Sequence, residues 1–214
     1  MNKTNSLARV LAVVTGMTLA LALASPVQAE GDPESGKKLS YTCLGCHGID
    51  GYRNPYPSYR VPMLGGQHED YIVIALKAYR SGERSHATMK AQAGSLSDQD
   101  IADIAAYFAS RGELKVGAAV TTKGKELTQA CTACHGETGA SANAIWPNLA
   151  GQHKDYLINA LKQYRLANKE ETNGIGQRNN AIMAGLAGTL SDDDIAAVAE
   201  YYSSQQGLFT TEHE

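Results

Sequence analysis

The chain has 214 residues, 43% of them hydrophobic and 19% charged, with a formal net charge of −3. That length is enough for two small cores. A mild negative charge without a basic block argues against a nucleic-acid-binding protein.

Lys3 and Arg9 give the chain a positive start, Val10 to Ala24 form a mostly apolar run of fifteen residues, and Val27-Gln28-Ala29 is a small-residue cleavage site. The run is short for a membrane span, so residues 1–29 read as a secretory signal peptide, cleaved before Glu30. An uncleaved N-terminal anchor is the alternative. The expected mature chain of 185 residues carries 17 basic and 22 acidic groups, a net charge of −5. No other long apolar run follows, so it is expected to be soluble. In a bacterium, export places it in the periplasm.

Asp32-Pro33-Glu34 has the form of a helix start, Asp32 as cap and Pro33 at the first helical position, and the helix is expected to run into Cys43. A loop rich in Tyr, Pro and Arg spans Gly48 to Gly66. Ile72, Ala75, Leu76 and Tyr79 then recur at i, i+3, i+4 and i+7, which gives a helix one apolar face, and Gly82 ends it. Ser97 with Asp100 forms a capping box for a last helix whose apolar face is Ile101, Ile104, Ala105 and Phe108.

The same order then repeats. A helix begins near Thr121 or Thr122 and runs into Cys131; a shorter loop spans Gly136 to Gly151; Leu157, Ala160, Leu161 and Tyr164 match the first apolar face. Ser191 with Asp194 caps a helix carrying Ile195, Val198, Ala199 and Tyr202. No stretch alternates convincingly with period two, so the fold class is all-α, with strands minor or absent. Residues 30–112 form domain 1, 113–122 a linker and 123–214 domain 2.

Two pentapeptides organise the repeat: Cys43-Leu44-Gly45-Cys46-His47 and Cys131-Thr132-Ala133-Cys134-His135. A C-x-x-C-H run is the attachment signature of c-type haem. Two thiols so spaced reach the two vinyl groups of one porphyrin, and the histidine that follows becomes an axial ligand. Disulfides, a thioredoxin-like pair or a four-cysteine zinc site are the alternatives. A thioredoxin-like protein needs a βαβ pattern, which is absent. The 84 residues between Cys46 and Cys131 far exceed a zinc ribbon. Two covalently attached c-type haems are therefore expected.

The other axial position decides the chemistry. Met63, Met89, Met183, His68, His86, His153 and His213 are candidates. Met89 lies seven residues before Leu96 and Met183 seven before Leu190, which puts both on the loop leading into the last helix of their half. Met63 aligns with Asn148 and has no sulfur counterpart. Met89 and Met183 are thus the expected ligands, His86 the rival in the first half. His68 and His153 match each other at a helix start, near the haem edge. Pro62 and Pro147 offer carbonyls to the free ring N–H of His47 and His135.

The doubled set of C-x-x-C-H, Pro-x-Leu-(Gly/Ala)-Gly-Gln and Met-x6-Leu-Ser-Asp-x-Asp-Ile resembles dihaem cytochrome c4, a tandem of class I cytochrome c domains. The resemblance covers the whole mature chain. It implies a pseudo-twofold axis, with the haem propionates near the interface and Gln67, Gln152, Arg80 and Arg165 close to them. The departures are the longer, Tyr-rich first loop and nine extra residues between Gln152 and Met183, placed within Lys169 to Asn180.

The expected function is single-electron transfer, not catalysis. The resemblance implies a quinol-oxidising complex or small copper protein as donor and a terminal oxidase as acceptor, with transient contact at membrane complexes. A monomer or weak dimer is expected. A tightly held subunit of a respiratory complex is one alternative; a dihaem peroxidase or sulfur-compound oxidoreductase is another, needing an open axial position. The stretch from Tyr52 to Arg60 has no counterpart in the second half, and Tyr and Arg are enriched at binding hot spots. Tyr52, Tyr56, Tyr59 and Arg60 are therefore expected to dock a redox partner.

Overall fold

Asp32 caps helix α1 (Pro33–Leu39), its carboxylate accepting from the Glu34 N–H, and Pro33 sits in the first turn. The helix does not run unbroken into Cys43. It stops at Ser40, and α2 (Tyr41–His47) begins one residue later. The computed structural model describes residues 30–120, 122–167 and 178–211. The expected signal peptide, Thr121, most of the expected insertion (169–177) and His213 lie outside the described residues.

The first loop carries a short antiparallel pair, β1 (Arg53–Asn54) and β2 (Tyr59–Arg60), with Arg53 opposite Arg60. Helix α3 (Glu69–Ser81) follows and ends at Gly82, whose φ of 91° is left-handed. Then come α4 (Ala87–Ala93) and α5 (Asp98–Ser110), the latter closed by the Ser97–Asp100 capping box. In the second half the counterpart of α1 is shorter than expected. A single 3-10 turn, Lys125–Thr128, leads into α6 (Gln129–His135). Helices α7 (Lys154–Ala167), α8 (Ala181–Gly188) and α9 (Asp192–Ser203) complete it, with the Ser191–Asp194 capping box at the start of α9.

Each half packs its first segment across its last helix. The approach needs glycine: a Cβ at Gly36 would lie 1.9 Å from the Asp103 carbonyl oxygen, and one at Gly124 2.0 Å from that of Ala197. The cores are twins. Leu44, Ile72, Ile104, Ala105, Tyr107 and Phe108 fill one; Leu157, Val198, Ala199, Tyr201 and Tyr202 fill the other. Tyr107–Phe108 and Tyr201–Tyr202 each meet edge to face at 5.3 Å. Among the described residues the fold is all-α in class, two tandem units with the same order of helices about a pseudo-twofold axis, with one small hairpin added.

Two connections cross between the halves in ways the repeat does not announce. Residues 113–120 carry no helix or strand, and the Val120 amide and carbonyl are both bonded by the Gln205 side chain. Beyond α9 the chain returns to the first half. Phe209 exchanges two backbone hydrogen bonds with Gly65, at 3.0 and 3.1 Å, and Thr211 is buried.

Candidate haem sites

Helices α2 and α6 each place two thiols three positions apart, on one face, and deliver a histidine at the last residue. All four cysteines are unpaired and partly buried. Burial pushes the Cys43 and Cys131 thiols up, opposite to the activated thiolate of a redox pair. The two cysteine pairs belong to different halves, and among the described residues no three His, Cys, Asp or Glu side chains gather around one point. That sets the four-cysteine zinc site aside.

His47 donates from Nδ1 to the Pro62 carbonyl at 2.8 Å, and His135 from Nδ1 to that of Pro147 at 2.9 Å. A carbonyl only accepts, so Nδ1 carries the proton and Nε2 keeps its lone pair. Burial pulls both imidazoles below the ordinary histidine range, which favours the neutral, ligating form. Both halves thus fit a covalently held haem, with thiols for the vinyl groups and an oriented imidazole for the iron.

Met89 and Met183 lie in the short helices α4 and α8, not on a loop. Each is in the first turn, partly buried, and its backbone N–H is capped by the residue three before it. His86 Nδ1 accepts from Met89 at 3.2 Å and Asn180 Oδ1 from Met183 at 3.0 Å. His86, the rival ligand, therefore occupies a capping position that asparagine fills in the other half.

Gln67 and Gln152 bridge the halves reciprocally. Gln67 pairs with the Asn148 backbone, donating to its carbonyl at 3.1 Å and accepting from its amide at 2.9 Å. Gln152 does the same to Met63, at 3.1 Å in both directions. Met63 and Asn148, unmatched in side chain, are thus matched in backbone role. The Asn148 side chain ties Gly66 O to Ser141 N, and His68 Nε2 meets the Ser141 carbonyl at 3.0 Å. Arg80 and Arg165 each clamp the start of their own last helix. They donate to the carbonyls of Leu96 (2.8 Å) and Leu190 (3.0 Å) and pair with Asp98 and Asp192.

The Tyr-rich loop lies against the second half, which corrects half of the docking expectation. Tyr59 is 6% exposed and packs on Tyr156 at 6.3 Å, and burial pushes its phenol up to about 12. Arg60 and Arg53 both reach Asp155, at 3.5 and 3.1 Å. Tyr59 and Arg60 are therefore interdomain contacts, because a loop three residues longer than its twin can span the seam. Tyr56, 92% exposed, and Tyr52, 40% exposed, still face outward.

Sequence reasoning missed Arg84 and Arg178. Each lies five residues before its methionine, a repeat signal that was available. The two form an antiparallel backbone bridge at the seam, and both are buried, at 7% and 6% exposure. Arg84 donates to the Tyr71 and Tyr156 hydroxyls at 3.2 and 2.9 Å, and Arg178 to Tyr156 at 3.3 Å and Gln163 at 2.9 Å. Their guanidiniums lie over Tyr79 at 4.8 Å and Tyr164 at 5.5 Å.

The model of the Cytochrome c family matches residues 33–111 and 121–206. Cytochrome c4 of Pseudomonas aeruginosa is 35% identical over 92% of this chain and 98% of its own length. A protein of Stutzerimonas stutzeri named thiosulfate dehydrogenase electron acceptor is 30% identical over 92% of this chain and 93% of its own. The crystal structure of reduced cytochrome c4 from Pseudomonas stutzeri superposes with a TM-score of 0.65 at 32% identity, covering 82% of this chain and 99% of that one. The two halves, with their paired C-x-x-C-H helices, bind two c-type haems, and the chain belongs to the cytochrome c family as a dihaem electron-transfer protein of the cytochrome c4 group.

Proposed function

We propose that the chain is a soluble periplasmic carrier that takes up and passes on single electrons, with His47 and Met89 as axial ligands of one haem iron and His135 and Met183 of the other. A c-type haem supplies a one-electron couple, whose potential a thioether ligand raises and a second imidazole lowers. The chain's part is to hold two neutral imidazoles by Nδ1, to present two capped methionine turns, and to bury both sites. The observation that supports this best is the duplication itself. Each half has the same histidine-to-proline carbonyl bond and the same cap three residues before the methionine. A quinol-oxidising complex or small copper protein is the proposed donor and a terminal oxidase the acceptor. Similarity to a thiosulfate dehydrogenase electron acceptor favours a second reading, in which a sulfur-compound dehydrogenase is the donor. In either case the chain carries electrons and turns over no substrate. Among the described residues no helix is long and apolar enough to cross a membrane.

A redox titration of the mature protein, followed through visible and near-infrared bands, tests this. Two low-spin centres with histidine–sulfur ligation are expected. Met89→His or Met183→His lowers the potential of its own haem by on the order of 0.1 V, within the roughly 0.8 V that axial ligands span. An open-coordinate iron or turnover of peroxide overturns the proposal. A mature N-terminus at Glu30 checks export.

A further inference from the structure

Arg84 and Arg178 are two buried cations side by side, joined through one phenol. Both donate to Tyr156, and neither makes an ion pair with a carboxylate among the described residues. Arg84 Nε is buried with no hydrogen-bond partner. Their neighbours are Tyr71, Tyr79, Tyr156 and Tyr164, which as neutral phenols balance no charge. Burying two like charges together is costly unless an anion joins them. The surrounding field has the sign this implies. Burial alone would push the Tyr156 phenol up, yet Arg178 and Arg84 outweigh it and draw it down to about 8. The site also connects by contact to the methionine turn of the first half. Arg84 lies over the Tyr79 ring at 4.8 Å, Tyr79 meets His86 edge to face at 6.2 Å, and His86 caps Met89; both arginines precede the methionine of their half by five residues. Arg80 and Arg165 are engaged within their own halves on helix starts, and Arg53 and Arg60 on Asp155 across the seam.

We propose that Arg84 and Arg178, linked by Tyr156, form one carboxylate-binding site across the domain seam, which takes the propionates of both haems and raises both potentials together. The guanidinium fork matches a carboxylate, and positive charge beside an iron favours its reduced form. The proposal rests on the two-haem, histidine–methionine reading above and replaces Arg80 and Arg165 in the propionate role.

The test is the pair of midpoint potentials in the holoprotein, for the wild type, Arg84→Gln and Arg178→Gln. It is confined to variants whose low-spin histidine–methionine bands persist, so loss of those bands counts against the ligand assignment and not against this site. Each substitution is expected to lower the reduction equilibrium constant of its own haem at least tenfold, about 59 mV for a one-electron couple. The other haem shifts in the same direction by less. A melting temperature that falls while both potentials stay within twofold would show that the arginines only pack the seam. A shift confined to one haem would show that the site is not shared. Should the variants fail to assemble, the labelled wild type decides. The Nε–H resonances of both arginines are expected to resist exchange and to move between ferric and ferrous forms. Resonances that exchange freely and do not move overturn the proposal.

Discussion

The two halves share a core and differ in how they reach each other. Glycine under the last helix, the edge-to-face aromatic pair, the capping box, the arginine clamp and the glutamine bridge all occur twice, in equivalent places. The loop after the haem motif does not. In the first half it is long, carries a hairpin and leans on Asp155 and Tyr156; in the second it is shorter, has no hairpin, is closed by Ser141 and Asn148, and meets Gly66, Gln67 and His68 of the first half through those same two residues. What holds a haem is duplicated, and what orients one half on the other is partly unique. Duplicated parts set the two irons' chemistry alike, so a difference between them has to come from the unshared surroundings.

The sharpest way to break this comparison is at the paired glycines. Gly36→Ala and Gly124→Ala each drive a Cβ into a carbonyl oxygen and are expected to cost about 3 kcal/mol or more, read by denaturant unfolding. A mild effect at one position and not the other would show that the halves are packed differently after all. Asp155→Ala strikes only the unshared contact. It removes two arginine partners and the acceptor of the Arg60 N–H, all partly exposed, for an expected loss of about 1–2 kcal/mol. Cleavage within 48–66 by a protease should quicken. An unchanged cleavage rate would mean that the loop holds without its anchor. The smallest effect is that of acid on the clamps. Hydrogen bonds from Arg80 and then Lys77 hold Asp98 below its ordinary 3.8; those from Lys162 and then Arg165 do so for Asp192. A carboxylate with a depressed folded value contributes above the ordinary value and loses that contribution as pH falls through the depressed one. Carboxyl chemical shifts should therefore show both aspartates titrating below pH 3.8, in parallel, and divergence would mark the clamps as unequal.

Most of the haem-holding part was legible before any coordinates. The attachment motifs, the prolines behind the histidines and both capping boxes follow from local spacing, as does the matched placement of Met89 and Met183 that the ligand proposal uses, and local spacing is what a repeat preserves. Spacing alone puts the methionines on loops because a helix of seven or eight residues offers too few turns for a periodic pattern. The 3-10 start of the second half escaped notice because its Thr-rich approach has no proline to fix a first turn. Tyr59 and Arg60 read as surface groups because nothing local says that a loop will meet Tyr156 and Asp155 ninety-odd positions later. Arg84 and Arg178 were visible in the alignment of the halves, but charge between two helices reads as solvated surface until its burial is known.

The tail that returns to Gly65 has a temporal consequence. A polypeptide made from its N-terminus presents Cys43 and Cys46 long before Phe209 exists. The first unit therefore has an open backbone edge at Gly65 until Phe209 has left the ribosome. Only a chain that extends through Phe209 can seal it, so a product cut short of that residue is a carrier with one unit left ajar.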